Sequence, residues 1–209
     1  HDVGLASVRR HKAAHGGLAI GYLPIWAPRE LLHAQGVLPV GLMGGGDDVE
    51  IIRGDAYYQS YICHLPRSTI ELGLNGSYAA LDGLIFPAIC DVIRNLSGMW
   101  QIMFKDKYVR YFDVPQEYSD AVGGEFYVHE LQSLRDDLAK LAGRPVTDDD
   151  LRKSIAVYNE NSRAMRELYA YRSAKPWQAP TSEVYLVSRA GNVHADIRRT
   201  RLLVVTHAP

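Results

Sequence analysis

An α/β fold is predicted for this chain: a Rossmann-like parallel sheet with flanking helices, followed by a helical C-terminal appendage. Three observations predict it. Short apolar runs alternate with helical patterns over residues 18–114, as strands joined by helical crossovers do. From Phe126 to about Arg172 apolar residues recur at helical spacing, without a further strand pattern. The 209 residues are 47% apolar and 22% charged, which suits one well-filled core with room for an appendage.

Residues 18–23 read as a buried strand, and Pro24 to Pro28 as the turn after it. Pro28 suits the start of a helix that runs on through Arg29 and is stopped by Gly36. Residues 37–42 form a second apolar run, which ends at Gly44-Gly-Gly46. A helical region is expected from about Asp55 to Leu74, with Pro66 as a kink or a fresh start and Asn75-Gly76 as the stop. A strand over 83–89 leads into a helix from Cys90 to about Met103, and residues 108–112 give a fourth strand. Helices follow over 126–141 and from Thr147, whose acidic first turn Asp148-Asp-Asp150 complements the helix dipole. The domain layout expected is an N-terminal segment (1–17), an α/β domain (18–114), a helical region (115–176) and a C-terminal segment (177–209).

Composition narrows the function classes. A net charge of −1 gives no electrostatic reason to bind nucleic acid or an anionic membrane. No apolar run approaches the roughly 18–20 residues of a spanning helix. With two cysteines, and no signal-peptide pattern between His1 and Lys12, a reducing cytoplasm is the expected compartment. The chain starts at His1 without an initiator Met and reads as a fragment.

The two cysteines carry the chemistry. Cys63 stands three residues ahead of Pro66, and Cys90 joins an apolar run to the amphipathic stretch that starts at Asp91. A thiol at a helix N-terminus meets the positive end of the dipole and free backbone N–H groups, which favour the thiolate that binds metals or attacks substrates. Two such positions in a chain with no other cysteine suggest one shared site. The plain alternative, two small buried hydrophobes, has even standing on composition alone. Two ligands do not complete a structural zinc or iron–sulfur site, so His64, His33, exogenous groups or further chain would supply the rest.

Ligands of open α/β sheets gather at the carboxyl ends of strands, and Cys90, Pro24-Ile25-Trp26 and residues 44–47 all fall there. The glycine run lacks a Gly-Lys-Ser/Thr ending and is read as a flexible turn, not a nucleotide loop. The eight histidines are read as showing no paired i, i+4 metal spacing, each as a solvated or core side chain. Tyr57, Tyr58, Tyr61, Tyr108, Tyr111 and Phe112 are read as mostly core, with some available to line a planar substrate.

The stretch from Gly21 to Val40, Gly-Tyr-Leu-Pro-Ile-Trp-Ala-Pro-Arg-Glu-Leu-Leu-His-Ala-Gln-Gly-Val-Leu-Pro-Val, resembles the opening of the 2-hydroxyacyl-CoA dehydratase and benzoyl-CoA reductase family. Ser60-Tyr-Ile-Cys63 with Arg67, and Phe86-Pro-Ala-Ile-Cys-Asp-Val-Ile-Arg94, look like its first two cluster-ligand motifs. Tyr57-Tyr-Gln-Ser-Tyr-Ile-Cys63 and Asn95-Leu-Ser-Gly-Met-Trp100 look closest to the reductase branch, with its substrate-binding subunits of B or C type, C favoured. The resemblance covers about residues 18 to 190.

The resemblance implies two similar α/β domains per subunit and a 4Fe–4S cluster held by three cysteines. Cys63 and Cys90 would be two of them, with the third in a second domain that this chain lacks. It further implies reduction of benzoyl-CoA to a cyclic dienoyl-CoA in anaerobic aromatic degradation. The implied partners are an aromatic acyl-CoA substrate, a homologous substrate-binding subunit, ATP-hydrolysing iron–sulfur activator subunits and reduced ferredoxin. The missing phosphate loop agrees with ATP being handled by those partners. Ile25 and Trp26 are candidates for excluding water at the substrate, and His33, His64 and Glu30 for moving protons. Alternatives from the same residues are a 2-hydroxyacyl-CoA dehydratase subunit and a non-enzymatic binding module with zinc or no metal. The tail after His194 departs from the family pattern and is assigned no function.

Overall fold

The computed structural model describes residues 2–193, and the tail singled out above lies outside the described residues. Four strands form one parallel sheet: β1 (Ala19–Tyr22), β2 (Leu38–Gly41), β3 (Gly83–Pro87) and β4 (Tyr108–Phe112), in the order β2-β1-β3-β4. The register pairs Ile20 with Pro39 on one side and with Gly83 on the other, and Ile85 with Arg110. Both faces are covered, so β1 and β3 are buried along their whole length. Pro39 is tolerated because β2 is an edge strand.

Helix α1 (Ala6–His15) precedes the sheet, α2 (Arg29–Ala34) joins β1 to β2, α3 (His64–Leu74) lies between β2 and β3, and α4 (Asp91–Met103) joins β3 to β4. After β4 a π-helical turn, Asp120–Gly124, leads into α5 (Glu125–Ala142). Strand order reverses between β1 and β3, because the chain moves to β2 on one side and then returns to β3 on the other. The loops after β1 and β3 therefore flank the switch-point crevice where open α/β sheets bind ligands. Those loops carry Ile25-Trp26 and Cys90.

The core behind this edge joins Leu84 and Phe86 of β3 to Ile70 and Leu72 of α3 and to Ile93, Leu96 and Trp100 of α4. Trp100 is 2% exposed, with its ring 4.3 Å from that of Phe104 and 6.0 Å from that of Phe86. Each such buried side chain contributes about 1.5–3 kcal/mol. Gly73 lets α3 come close to α4, since a Cβ there would run into the Trp100 ring. On β4, Arg110 pairs with Glu130 and Asp137 of α5 at 3.1 and 3.0 Å, tying that helix to the sheet.

By contact the chain divides into two units, His1–Pro145 and Val146–Pro209. In the second, α6 (Asp148–Ala174) starts in a capping box, Thr147 and Asp150 each bonding the other's backbone N–H. Its Ala164 and Leu168 pack with Ala179 and with Val184 and Val187 of α7 (Thr181–Val193).

Two local expectations change, and one helix stands where no element was predicted. The 55–74 region is not one helix: a short 3-10 turn, Gly54–Ala56, precedes irregular chain, and α3 starts only at His64. Pro66 explains this, since its missing N–H is tolerated only in a first turn. Residues 1–17 contain α1, which buries only Val8 of its own residues. It is held by Asp2, whose carboxylate accepts the N–H groups of Ala6 and Ser7 at 2.7 Å, and by a 2.6 Å bond from Lys12 to Asp82. The aromatic set is not uniformly core. Phe112 is fully buried, but Tyr57 and Tyr61 are 44% and 81% exposed.

Candidate functional site

Cys90 is the N-cap of α4 and Cys63 the N-cap of α3, the two helices that pack together through Gly73 and Trp100. Neither side chain makes a capping hydrogen bond, and both thiols are free and exposed. The first turn of each helix has backbone N–H groups without intrahelical partners, and the cysteines stand beside them. One residue joins the two thiols. Burial raises the Tyr58 hydroxyl above its ordinary pKa, and the charges of Cys63 and Cys90 raise it further. That hydroxyl also donates to the Val92 carbonyl oxygen of α4 at 3.4 Å. The Tyr58 hydroxyl thus reaches from the segment before Cys63 to the first turn of the helix that Cys90 caps.

The segment before Cys63 is gripped from α3. Arg67 donates from Nε to Asp55 Oδ1 at 2.7 Å, and from Nη1 to the carbonyl oxygens of Ser60 and Ile62 at 3.4 Å. Glu71, 6% exposed, accepts the N–H groups of Ile52, Arg53 and Gly54 at 3.0, 2.6 and 2.9 Å. A carboxylate with three backbone donors pins the loop at one end, and a guanidinium with two carbonyls pins it at the other. Gly54 must lie close to α3, because an added Cβ would strike the Arg67 carbonyl oxygen. Gly54→Ala is expected to destabilise the chain by about 1–3 kcal/mol in urea unfolding, whereas a cost near zero would mean the loop is not clamped. The glycine run after β2 also leans on α3, where Gly45 N–H donates to Ser68 Oγ at 3.4 Å.

Ile25 and Trp26 leave β1 with positive φ, 77° and 59°, and are 59% and 46% exposed. For a β-branched residue such as Ile25 this conformation is exceptional, costing about 1–2 kcal/mol. Backbone strain of this kind collects at ligand clamps and switch regions, and here it presents two apolar side chains at the switch-point edge.

The acid–base candidates separate. His64 follows Cys63 directly, as the exposed first residue of α3. Glu30 and His33 lie on α2. Glu30 acts on Tyr22 and Tyr127, where its charge adds to the burial that raises both phenols; the Arg29 guanidinium opposes it at Tyr22. The reading of the histidines is corrected at one place. His11 and His15 do have i, i+4 spacing, and their rings come within 4.8 Å on α1. Among the described residues, no group of three or more His, Cys, Asp or Glu could hold a metal ion.

Sequence reasoning missed Tyr58 as a link between the Cys63 loop and α4, and Glu71 as an anchor, and it quoted Arg94 in a motif without a role. The Arg94 guanidinium lies 5.1 Å from the Tyr111 ring centroid and 3.4 Å from its hydroxyl. The Arg94 spacing of four from Cys90 was the available signal, since it puts both on one face of α4.

Among the described residues, no helix is long and apolar enough to cross a membrane. The chain is 56% identical over 193 residues to the C subunit of benzoyl-CoA reductase from Thauera aromatica, which covers 92% of this chain and 50% of that protein. It is 33% identical over 178 residues to the beta subunit of (R)-2-hydroxyglutaryl-CoA dehydratase of Acidaminococcus fermentans, covering 85% and 47%. With the beta subunit of lactoyl-CoA dehydratase of Anaerotignum propionicum the identity is 32% over 157 residues, covering 75% and 41%. The chain thus spans about half the length of the curated relatives it matches. The family model for the D-component of 2-hydroxyglutaryl-CoA dehydratase matches residues 24–204, a span that takes in both N-cap cysteines, and the chain belongs to that family.

Proposed function

We propose that this chain is part of a substrate-binding subunit of an ATP-dependent, ferredoxin-linked benzoyl-CoA reductase. That enzyme reduces the aromatic ring of an acyl-CoA to a cyclic dienoyl-CoA. The observation that carries the reading is the pair of exposed thiols capping adjoining helices beside one tyrosine, in a chain 56% identical to a reductase subunit.

The donor set fits part of a 4Fe–4S site. Two soft sulfur ligands, free and accessible, suit two corners of such a group, and the remaining ligand would come from sequence beyond these 209 residues. When bound, the cluster supplies a one-electron reducing centre and a Lewis-acid position at an iron that protein sulfur leaves open. The chain's own part is to hold and shelter. Cys63 and Cys90 bind through sulfur, with helix N-termini offsetting their negative charge. Arg67 and Glu71 keep the Cys63 loop in place. Ile25 and Trp26 cover the crevice with apolar surface, excluding water from a strongly reducing step. His64, beside Cys63, is the acid–base group best placed to move a proton. Reduced ferredoxin and ATP-hydrolysing iron–sulfur subunits would deliver the electrons from outside this chain.

A dehydratase reading has its own support in the family model and in the 33% identity to a dehydratase beta subunit. The two are separated by offering the complete complex, assembled with the full-length subunit, benzoyl-CoA and a 2-hydroxyacyl-CoA side by side. Consumption of benzoyl-CoA with formation of a cyclic dienoyl-CoA is expected. Dehydration of the hydroxyacyl-CoA with benzoyl-CoA left intact would replace the reductase reading with the dehydratase one. Zinc in place of iron and sulfide would leave only a binding module.

A further inference from the structure

We infer that Tyr58 is a positioning residue of the sulfur site, its hydroxyl donating a hydrogen bond to a cysteine sulfur of the bound cluster. This rests on the ligand assignment above. Tyr58 lies five residues before Cys63, and its hydroxyl reaches Val92, two residues after Cys90. One side chain thus spans from the α3 loop to the first turn of α4.

The ring is half-buried and packs against the core cluster, which fixes where the hydroxyl can go. Its present acceptor does not need it. Val92 lies inside α4, so its carbonyl oxygen already has an intrahelical partner four residues on, and the 3.4 Å contact is long for an O–H donor. A thiolate is the stronger acceptor, because hydrogen bonds to a charged partner are roughly twice as strong as neutral ones. The turn that the hydroxyl reaches is the one Cys90 caps, and the ring stands on the loop that ends at Cys63. A phenol is protonated at neutral pH, so it is a donor across the working range.

The consequence is electrostatic. Reduction adds negative charge, much of it on sulfur, so a donor there stabilises the reduced state and raises the reduction potential. Removing one net hydrogen bond changes the equilibrium by about fivefold.

The test uses Tyr58→Phe in the full-length subunit, reconstituted anaerobically, with Tyr118→Phe as a control because Tyr118 is 76% exposed. Phe keeps the ring and its packing, so folding and iron and sulfide content should match the parent. The ratio of reduced to oxidised cluster, poised at the parent's midpoint, should fall about fivefold in Tyr58→Phe and stay put in Tyr118→Phe. An exchangeable proton coupled to the reduced cluster, seen by electron–nuclear double resonance in deuterated against ordinary buffer, should vanish with it. A Tyr58→Phe protein with the parent's potential and the same exchangeable proton overturns the inference. So does a folded variant that no longer binds iron, which would make the hydroxyl a requirement of assembly. If the parent itself binds no cluster, the ligand assignment fails instead, which is a separate result.

Discussion

Cys63→Ala and Cys90→Ala, each made in the full-length subunit, should lose iron, sulfide and the broad visible absorbance of the cluster to near background after anaerobic reconstitution. The cluster-free variants should be as stable as the cluster-free parent. Both halves follow from geometry. Each thiol is exposed, makes no capping hydrogen bond and fills no part of the core. Surface substitutions of that kind change stability by no more than about 0.5 kcal/mol. A ligand, by contrast, cannot be replaced by a methyl group, and only two of the site's sulfurs come from this chain. Measuring unfolding beside metal content separates lost binding from lost folding. Because both sulfurs serve as ligands of one group in the proposed site, the two variants should behave alike. Full cluster content in either one would break the pair and return the cysteines to ordinary surface residues.

The parts of this fold that could be read in the sequence are those set by burial. Residues 83–87 form a strand because an apolar run of that length, bounded by turn residues, suits the interior of a parallel sheet, whereas the edge strand 108–112 is only partly buried and was legible through its aromatic and β-branched residues. Cys90 could be placed at a helix start because Asp91 begins an amphipathic run directly after an apolar one. The start of α3 was harder: the helical composition extends back to Asp55, and the boundary is drawn by Pro66 together with the Arg67 and Glu71 anchors. Helix α1 leaves almost no apolar stripe to detect, because a side-chain cap and one lysine hold it. Tyr58 could not be told from Tyr57 and Tyr61 by local pattern. What distinguishes it is a contact with Val92, 34 positions away. The left-handed turn at Ile25 and Trp26 ran against local preference, since β-branched and aromatic residues favour extended backbone.

Glu71→Gln should cost about 2 kcal/mol of folding stability at pH 7, and the cost should shrink as the solution is acidified. Burial alone would push the Glu71 carboxyl up. The backbone N–H groups of Gly54, Ile52 and Arg53 and the Arg53 charge more than offset this, and hold it below its ordinary value. A carboxylate held low in the folded state adds stability above the unfolded pKa of about 4.3, and loses it as pH falls through the folded value. Gln keeps an acceptor oxygen but not the charge, so the difference between Glu and Gln belongs to the ionised form and fades as pH falls below the ordinary carboxylate range. Glu71→Ala, which removes the acceptor too, should cost about 3–4 kcal/mol at pH 7 and keep part of that cost in acid. Urea midpoints for the three proteins at neutral and acid pH read this directly, and an equal Glu-to-Gln difference at both would rule out the charge as its source. The effect reaches the site. Glu71 fastens residues 52–54, Arg67 fastens residues 55–62, and Cys63 is the next residue along. Loosening the first clamp leaves Arg67 alone to fix where that sulfur stands.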